Sequence, residues 1–348
     1  MRKSEAFEDN VMTSVSAKIT RKIGICFLAI FLNGLSYGQD AHLSMYDAAP
    51  LFLNPALTGV VEGDFRVHGQ YRTQWKSVNY KPYTSALISF DMPIKKWGFG
   101  VQINNFRAGA GNFNVLQGLL SAAYYLPLNK NKTHVLNFGV QGGVTQKSIE
   151  YQLLSFNNQY TLNNGGEFDQ TLVTGEDFGA QSKFIPMLNA SALYYYSKSQ
   201  SRLNPFIGVS LFNLTQPNES FFGRESKLPL RMYTHLGTRV NITELFYVIP
   251  KLLIMNQKKF HEQTYALEAG YFLKGSGAYV LGGVIFRAKD AMIATIGAKK
   301  DAYTVKLAYD FNISSLTSTS KSRGGFELSF TYVHAKKKPT DYKICPRL

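Results

Sequence analysis

Four stretches of this sequence alternate, residue by residue, between apolar and polar side chains. Phe326, Leu328, Phe330 and Tyr332 interleave with Glu327, Ser329 and Thr331, and Tyr303, Val305, Leu307, Tyr309 and Phe311 with Thr304, Lys306, Ala308 and Asp310. Val67, Tyr71, Thr73 and Trp75 stand against Arg66, His68, Gln70, Arg72 and Gln74, and Tyr265, Leu267, Ala269 and Tyr271 against Glu268, Gly270 and Lys274. A strand points successive side chains to opposite faces, so each stretch reads as a strand with one greasy and one wet face. No helical periodicity of comparable length occurs. The chain is 45% apolar and 14% aromatic, which excludes a disordered polymer and leans further toward strands.

With turn signals as punctuation, strands are predicted near 64–75, 84–93, 98–108, 115–126, 134–149, 186–197, 205–214, 231–242, 245–256, 264–274, 279–287, 291–299, 302–312 and 325–334. The even count and strand lengths near the roughly 9–11 residues needed to cross a bilayer fit an outer-membrane barrel. Such barrels have short turns at one end and longer loops at the other. The second, fourth, sixth, eighth, tenth and twelfth connections are all short, and the long ones, 150–185, 215–230 and 313–324, are all odd-numbered. Two odd connections, near Arg107–Asn114 and Ala288–Asp290, are short as well. A soluble β-sandwich accounts for the alternation but has no reason to segregate long loops by parity. Tyr71 and Trp75, Tyr124 and Tyr125, Tyr194 to Tyr196, and Phe330 and Tyr332 bracket the apolar faces as aromatic girdles would. The expected fold is therefore all-β: a transmembrane, antiparallel, up-and-down β-barrel of about 14 strands. The run from Arg323 through Gly325 and Leu328 to Phe330 looks like the terminal-strand signal read by outer-membrane assembly machinery.

The one continuous apolar run, Ile23 to Leu35, follows Lys18, Arg21 and Lys22 and ends at Ser36-Tyr37-Gly38, with small residues where a signal peptidase reads them. Residues 1–38 read as a secretory signal peptide, with a mature chain starting near Gln39. The run is short of the roughly 20 residues a spanning helix needs. Cys26 lies inside it and Cys345 near the end, so no disulfide framework is expected. The division is then 1–38 signal peptide, 39–63 a periplasmic N-terminal lead or plug, 64–334 the barrel, and 335–348 a periplasmic tail. Two prolines and a glycine in Pro50–Gly59 make the lead turn-rich.

Catalytic signatures are thin. HExxH, a P-loop and paired CxxC do not occur. His68 and His235 face the predicted polar sides of their strands, where lumen filler is the bland reading and a hydrolase the sharp one. Asp169, Glu176 and Asp177 in the long loop read as solvated acids before they read as cation ligands. The net charge of +15 puts Arg66, Arg72, Arg231 and Arg239 on polar faces, where they would line an interior and favour anions. Lys336-Lys337-Lys338 follows the last strand. Nucleic-acid binding has nothing else behind it in an exported chain, and no cofactor or metal is expected.

Asn54-Pro55-Ala56-Leu57-Thr58-Gly59, then Tyr71-Arg72-Thr73-Gln74-Trp75, and a closing Cys345-Pro346-Arg347-Leu348 resemble the PorP/SprF family of type IX secretion system membrane proteins. Leu348 stands where an aromatic is commoner in that family. The resemblance implies an integral outer-membrane barrel of a Gram-negative bacterium without known enzymatic activity. It implies a role in secretion or surface attachment of type IX cargo such as large adhesins, alongside a translocon and periplasmic components. It marks Asn54, Pro55, Gly59, Tyr71, Arg72, Trp75, Cys345, Pro346 and Arg347 as motif positions. Physically, Arg72 is expected to pair across the lumen and pin the N-terminal segment, and Trp75 to sit at the extracellular girdle. The long odd-numbered loops, above all 150–185, are expected to capture the cargo's C-terminal region. A porin or transporter with a basic lumen is the alternative.

Overall fold

The structure, a computed structural model, describes residues 42–74, 81–162, 166–198, 201–222, 225–314 and 323–335. The predicted signal peptide, Trp75, the Lys336–Lys338 cluster, Cys345, Pro346 and Arg347 lie outside them. Among the described residues no helix is long and apolar enough to cross a membrane.

Fourteen strands close into one antiparallel barrel. In chain order they are β1 (Phe65–Gln74), β2 (Tyr83–Ile94), β3 (Trp97–Ala108), β4 (Phe113–Pro127), β5 (His134–Ser148), β8 (Ser182–Tyr196) and β9 (Leu203–Phe212). There follow β10 (Arg231–Asn241), β11 (Phe246–Gln257), β12 (Phe260–Leu273), β13 (Ala278–Arg287), β14 (Ala291–Lys300), β15 (Tyr303–Asn312) and β16 (Arg323–His334). The two-residue strands β6 (Tyr160–Thr161) and β7 (Glu167–Phe168) pair in a separate ribbon inside the longest loop. Each barrel strand pairs with its sequence neighbours, and β1 closes the ring on β16 from Phe65↔His334 to Gln74↔Gly325. Closure leaves no edge, which is what lets strands cross a medium that cannot hydrogen-bond to them.

The barrel is inverted relative to a soluble protein. Ile88 and Phe90 on β2, Phe99, Val101 and Ile103 on β3, and Phe326, Leu328 and Phe330 on β16 face outward and are exposed. Between them Ser89, Asp91, Gln102, Asn104, Glu327 and Ser329 face inward and are buried. A greasy outer wall around a polar interior is stable in lipid and not in water. At the end bearing the short turns, aromatic side chains gather on the wall: Trp97 meets Tyr124 edge-on at 5.0 Å, and Tyr303 lies 5.1 Å from Tyr332. The run Tyr194 to Tyr196 does not act as one patch. Alternation turns Tyr195 into the lumen, where it is buried, while His134 packs against both neighbours.

The strand ends joined by connections 75–82, 109–112, 149–181, 213–230, 258–259, 288–290 and 313–322 lie at one end of the barrel, and those joined by 95–96, 128–133, 197–202, 242–245, 274–277 and 301–302 at the other. We refer to these as the long-loop end and the short-turn end. The β11–β12 turn is tighter than the sequence suggests, because Lys258 adopts φ +52° and lets both strands run to the turn.

Residues 42–60 occupy the lumen. Leu43, Met45, Leu51, Leu53, Ala56 and Leu57 are buried there, and the segment contains one short helix, α1 (Pro50–Leu53), followed by a 3-10 turn at Pro55–Leu57. Its apolar flank packs on Leu193, Tyr195, Phe206, Tyr233, Tyr247, Ile249 and Leu253 from β8 to β11. On its other flank Met45 packs on Ile285, Ile293 and Ala308, beside charged residues from β11, β12, β13, β15, β16 and β1.

Candidate functional site

The site is the contact between the lumenal segment and the barrel wall. At its short-turn half, the sequence Asn54-Pro55-Ala56-Leu57-Thr58-Gly59 folds as a capped turn. Asn54, fully buried, begins it, and its Oδ1 accepts the Ala56 N–H at 2.8 Å. Pro55 follows at the first helical position, where its missing N–H has no cost and its fixed φ suits the turn. The Asn54 amide also donates to the Ala192 carbonyl at 3.3 Å and lies 3.0 Å from His235 Nε2. Ser191 Oγ accepts the Ala56 N–H at 2.8 Å, and Asn137 donates to the Ala56 carbonyl at 3.2 Å.

The backbones approach closely here, which two wall glycines permit. A Cβ on Gly139 would strike the backbone of Pro55 and Ala56, and one on Gly98 the Thr58 carbonyl. Gly59 itself has φ +73°, a conformation that other residues rarely adopt, and its N–H donates to Asp91 Oδ2 at 2.7 Å. Arg66 binds the same carboxylate at two points, 2.9 and 2.8 Å, and donates to the carbonyls of Leu57 at 3.2 Å and Val60 at 3.4 Å.

Toward the long-loop end the contacts become ionic. Glu327 on β16 accepts the backbone N–H groups of Ser44 at 2.8 Å and Met45 at 2.9 Å, standing in for the partner strand this stretch lacks. Ser44 Oγ donates to Asp310 at 2.6 Å. Arg72 donates to the His42 carbonyl at 2.5 Å and to Asp310 at 2.7 Å, with Glu327 3.5 Å from its Nε. Arg287 reaches Ser44 Oγ at 3.1 Å and also donates to His42 Nε2, which must be unprotonated to accept. Midway, Asp47 pairs with Lys251, which lies 3.4 Å from Glu268; Lys306 donates to Glu268 at 2.5 Å.

The structure thus brings Asn54, Pro55, Gly59 and Arg72 together on one lumenal contact. Tyr71, adjacent to Arg72, faces outward instead and is 47% exposed. His68 bonds Thr331 at 2.9 Å and Gln70 at 3.0 Å, and His235 bonds Asn54; β1 and β10 stand opposite each other in the ring, so the two histidines do not meet. Among the described residues no group of three or more His, Cys, Asp or Glu is placed to hold a metal ion. The lumenal arginines expected to favour anions are occupied: Arg66 by Asp91, Arg72 by Asp310, while Arg231 lies over Phe212 at 4.8 Å and Arg239 over Tyr247 at 3.8 Å. Asp91, Lys251 and Arg287 are not named by the sequence reading, and Asp310 and Glu327 enter it only as polar members of alternating stretches. Alternation marks them as inward-facing, and no local signal names their partners.

Family comparison matches residues 35–332 to the type IX secretion system membrane protein PorP/SprF. The chain belongs to the PorP/SprF family. The matched range contains both the Asn54–Gly59 turn and the Tyr71–Arg72 pair. Comparison with curated proteins gave no match. Among solved structures this PorP/SprF protein is similar to the Ralstonia pickettii toluene transporter TbuX, at 10% identity over 83% of this chain and 94% of that one, with a TM-score of 0.48. It is similar also to the P. putida toluene transporter TodX, at 10% identity over 82% and 93% with a TM-score of 0.47. A Pseudomonas aeruginosa FadL homologue matches at 11% over 80% and 92%, with a TM-score of 0.45.

Proposed function

We propose that this PorP/SprF protein is a non-enzymatic, closed barrel of a Gram-negative outer membrane that supports secretion or surface attachment of particular type IX cargo. It does so by binding cargo at its long-loop end, taken as extracellular, and translocon or periplasmic components at its short-turn end. Residues 42–60 act as its plug, and Asn54, Pro55, Gly59 and Arg72 are motif positions because they seat that plug. The observation that carries this reading is the buried, register-specific contact between residues 42–60 and the wall, together with the family match. A lumen filled by its own chain, with the arginines of its wall engaged, favours a binding component over a basic porin. Type IX export itself then runs elsewhere in the machinery, and this barrel contributes recognition.

The test is deletion of the gene followed by surface proteomics of intact cells. Loss of one or a few type IX cargo proteins from the surface, restored by the intact gene, is expected. Unchanged display of every type IX cargo overturns the reading.

A further inference from the structure

The loop 149–181 carries Glu150, Glu167, Asp169, Glu176 and Asp177 and no Lys or Arg, in a chain whose net charge is +15. Its described residues are tied to one another and to the neighbouring loop. Gln159, buried, receives the Phe156 N–H on its Oε1 at 3.1 Å and donates to the Leu172 carbonyl at 3.1 Å, which ties Phe156 and Leu172 together beside the β6–β7 ribbon. Tyr151 stacks on Phe178 at 4.3 Å, and Phe178 meets Phe222 at 4.9 Å, tying this loop to 213–230. The Gly179 N–H donates to the Phe221 carbonyl at 3.0 Å.

What this scaffold displays is apolar. Leu162 is 83% and Val173 84% exposed, and Tyr160, Phe168 and Leu172 are exposed beside them. These residues lie past Ser148 and Ser182, where β5 and β8 end, so the lipid that covers the outer wall does not account for them. Asp169 is held below the usual carboxylate range by hydrogen bonds from Thr171, at 2.6 Å from its hydroxyl and 2.9 Å from its N–H.

We propose that the described residues of this loop, 149–162 and 166–181, form a docking face for a protein segment that combines Lys or Arg with large apolar side chains; this rests on the binding role proposed above and specifies the chemistry of the partner. The apolar side chains demand an apolar counterpart, which excludes a simple cation. The carboxylates repel anionic lipid headgroups and attract a basic chain. Because the loop is held by its own hydrogen bonds and ring contacts, little ordering is left to oppose binding.

The test uses full-length protein in neutral-lipid nanodiscs, with empty discs as reference, and three labelled synthetic peptides alternating Lys/Leu, Lys/Ser and Glu/Leu. The Lys/Leu peptide is expected to bind best, the Glu/Leu peptide not at all, and binding to weaken as salt rises. Combining Glu167→Gln, Asp169→Asn, Glu176→Gln and Asp177→Asn is expected to lower affinity about tenfold or more. Leu162→Ser with Val173→Ser is expected to erase the preference for Lys/Leu over Lys/Ser. Glu244→Gln with Asp301→Asn, on short turns, is expected to change nothing. Equal binding of all three peptides, or salt-independent binding by the unmodified protein, overturns the proposal without need of any variant. In cells, normal cargo display by the four-fold neutralised variant overturns the docking face alone, whereas normal display after gene deletion overturns the secretion role itself.

Discussion

Arg66 and Asp91 form a two-point ion pair inside the barrel, and the Asp91 carboxylate at the same time holds the Gly59 N–H. One carboxylate therefore ties the wall of β1 and β2 to the turn where the lumenal segment leaves for the first strand. Asp91→Asn leaves the Arg66 guanidinium buried without its counter-charge, and removing one partner of such a pair costs about 3–5 kcal/mol. The thermal midpoint of the folded, compact gel band is expected to fall markedly. Replacing both residues by apolar ones of similar size, Arg66→Met with Asp91→Leu, is expected to recover part of the loss.

Gly139 has the Pro55–Ala56 backbone against it, while Gly118 on the adjacent strand has nothing within 4 Å of an added Cβ. Gly139→Val is expected to push the segment off the wall without breaking the ladder. Hydrogen exchange at the N–H groups of Ala56, Thr58 and Gly59 is then expected to rise at least tenfold, corresponding to about 1.4 kcal/mol. Gly118→Val is expected to leave that exchange unchanged. Equal exchange in both variants would mean that Gly139 does not make room for the segment.

Strand spans were largely legible because lipid outside and polar atoms inside impose period 2 on every spanning stretch, as Tyr303 to Phe311 and Phe326 to Tyr332 illustrate. Loop parity gave the two ends for the same reason. What seats the segment was not legible, because its partners are far apart in the chain: Arg72 meets Asp310, and Asp47 meets Lys251. Register between distant strands decides such pairs, and no local pattern encodes it. Gly98 and Gly139 look in sequence like weak strand residues, although each marks a close backbone approach. The Asn54–Gly59 turn was recognisable by resemblance, and its physical reasons appear only once Ser191, Asn137 and Asp91 are placed around it. Tyr195 misled in the opposite direction, since a run of three tyrosines looks like a girdle until alternation sends the middle one inward.

The lumenal segment runs from Arg72 and Arg287 near the long-loop end at His42 to His334 at the short-turn end, where the Asp64 N–H reaches the His334 carbonyl at 2.6 Å. With long loops outside, the start and the end of the described chain face opposite sides of the membrane. An epitope placed between Asp40 and Ala41 is expected to be labelled by antibody on intact cells, and one fused after Leu348 only after the outer membrane is permeabilised. Labelling of the first epitope only after permeabilisation would reverse the direction of threading.

The most direct measurement is single-channel conductance of the purified protein in planar bilayers, beside a variant lacking residues 43–60. The unmodified barrel is expected to show no steady conductance, because its lumen is filled from Leu43 to Val60, and the deletion is expected to open a stable pore. A steady open conductance in the unmodified protein, unchanged by the deletion, would contradict the closed barrel and return the molecule to the class of porins.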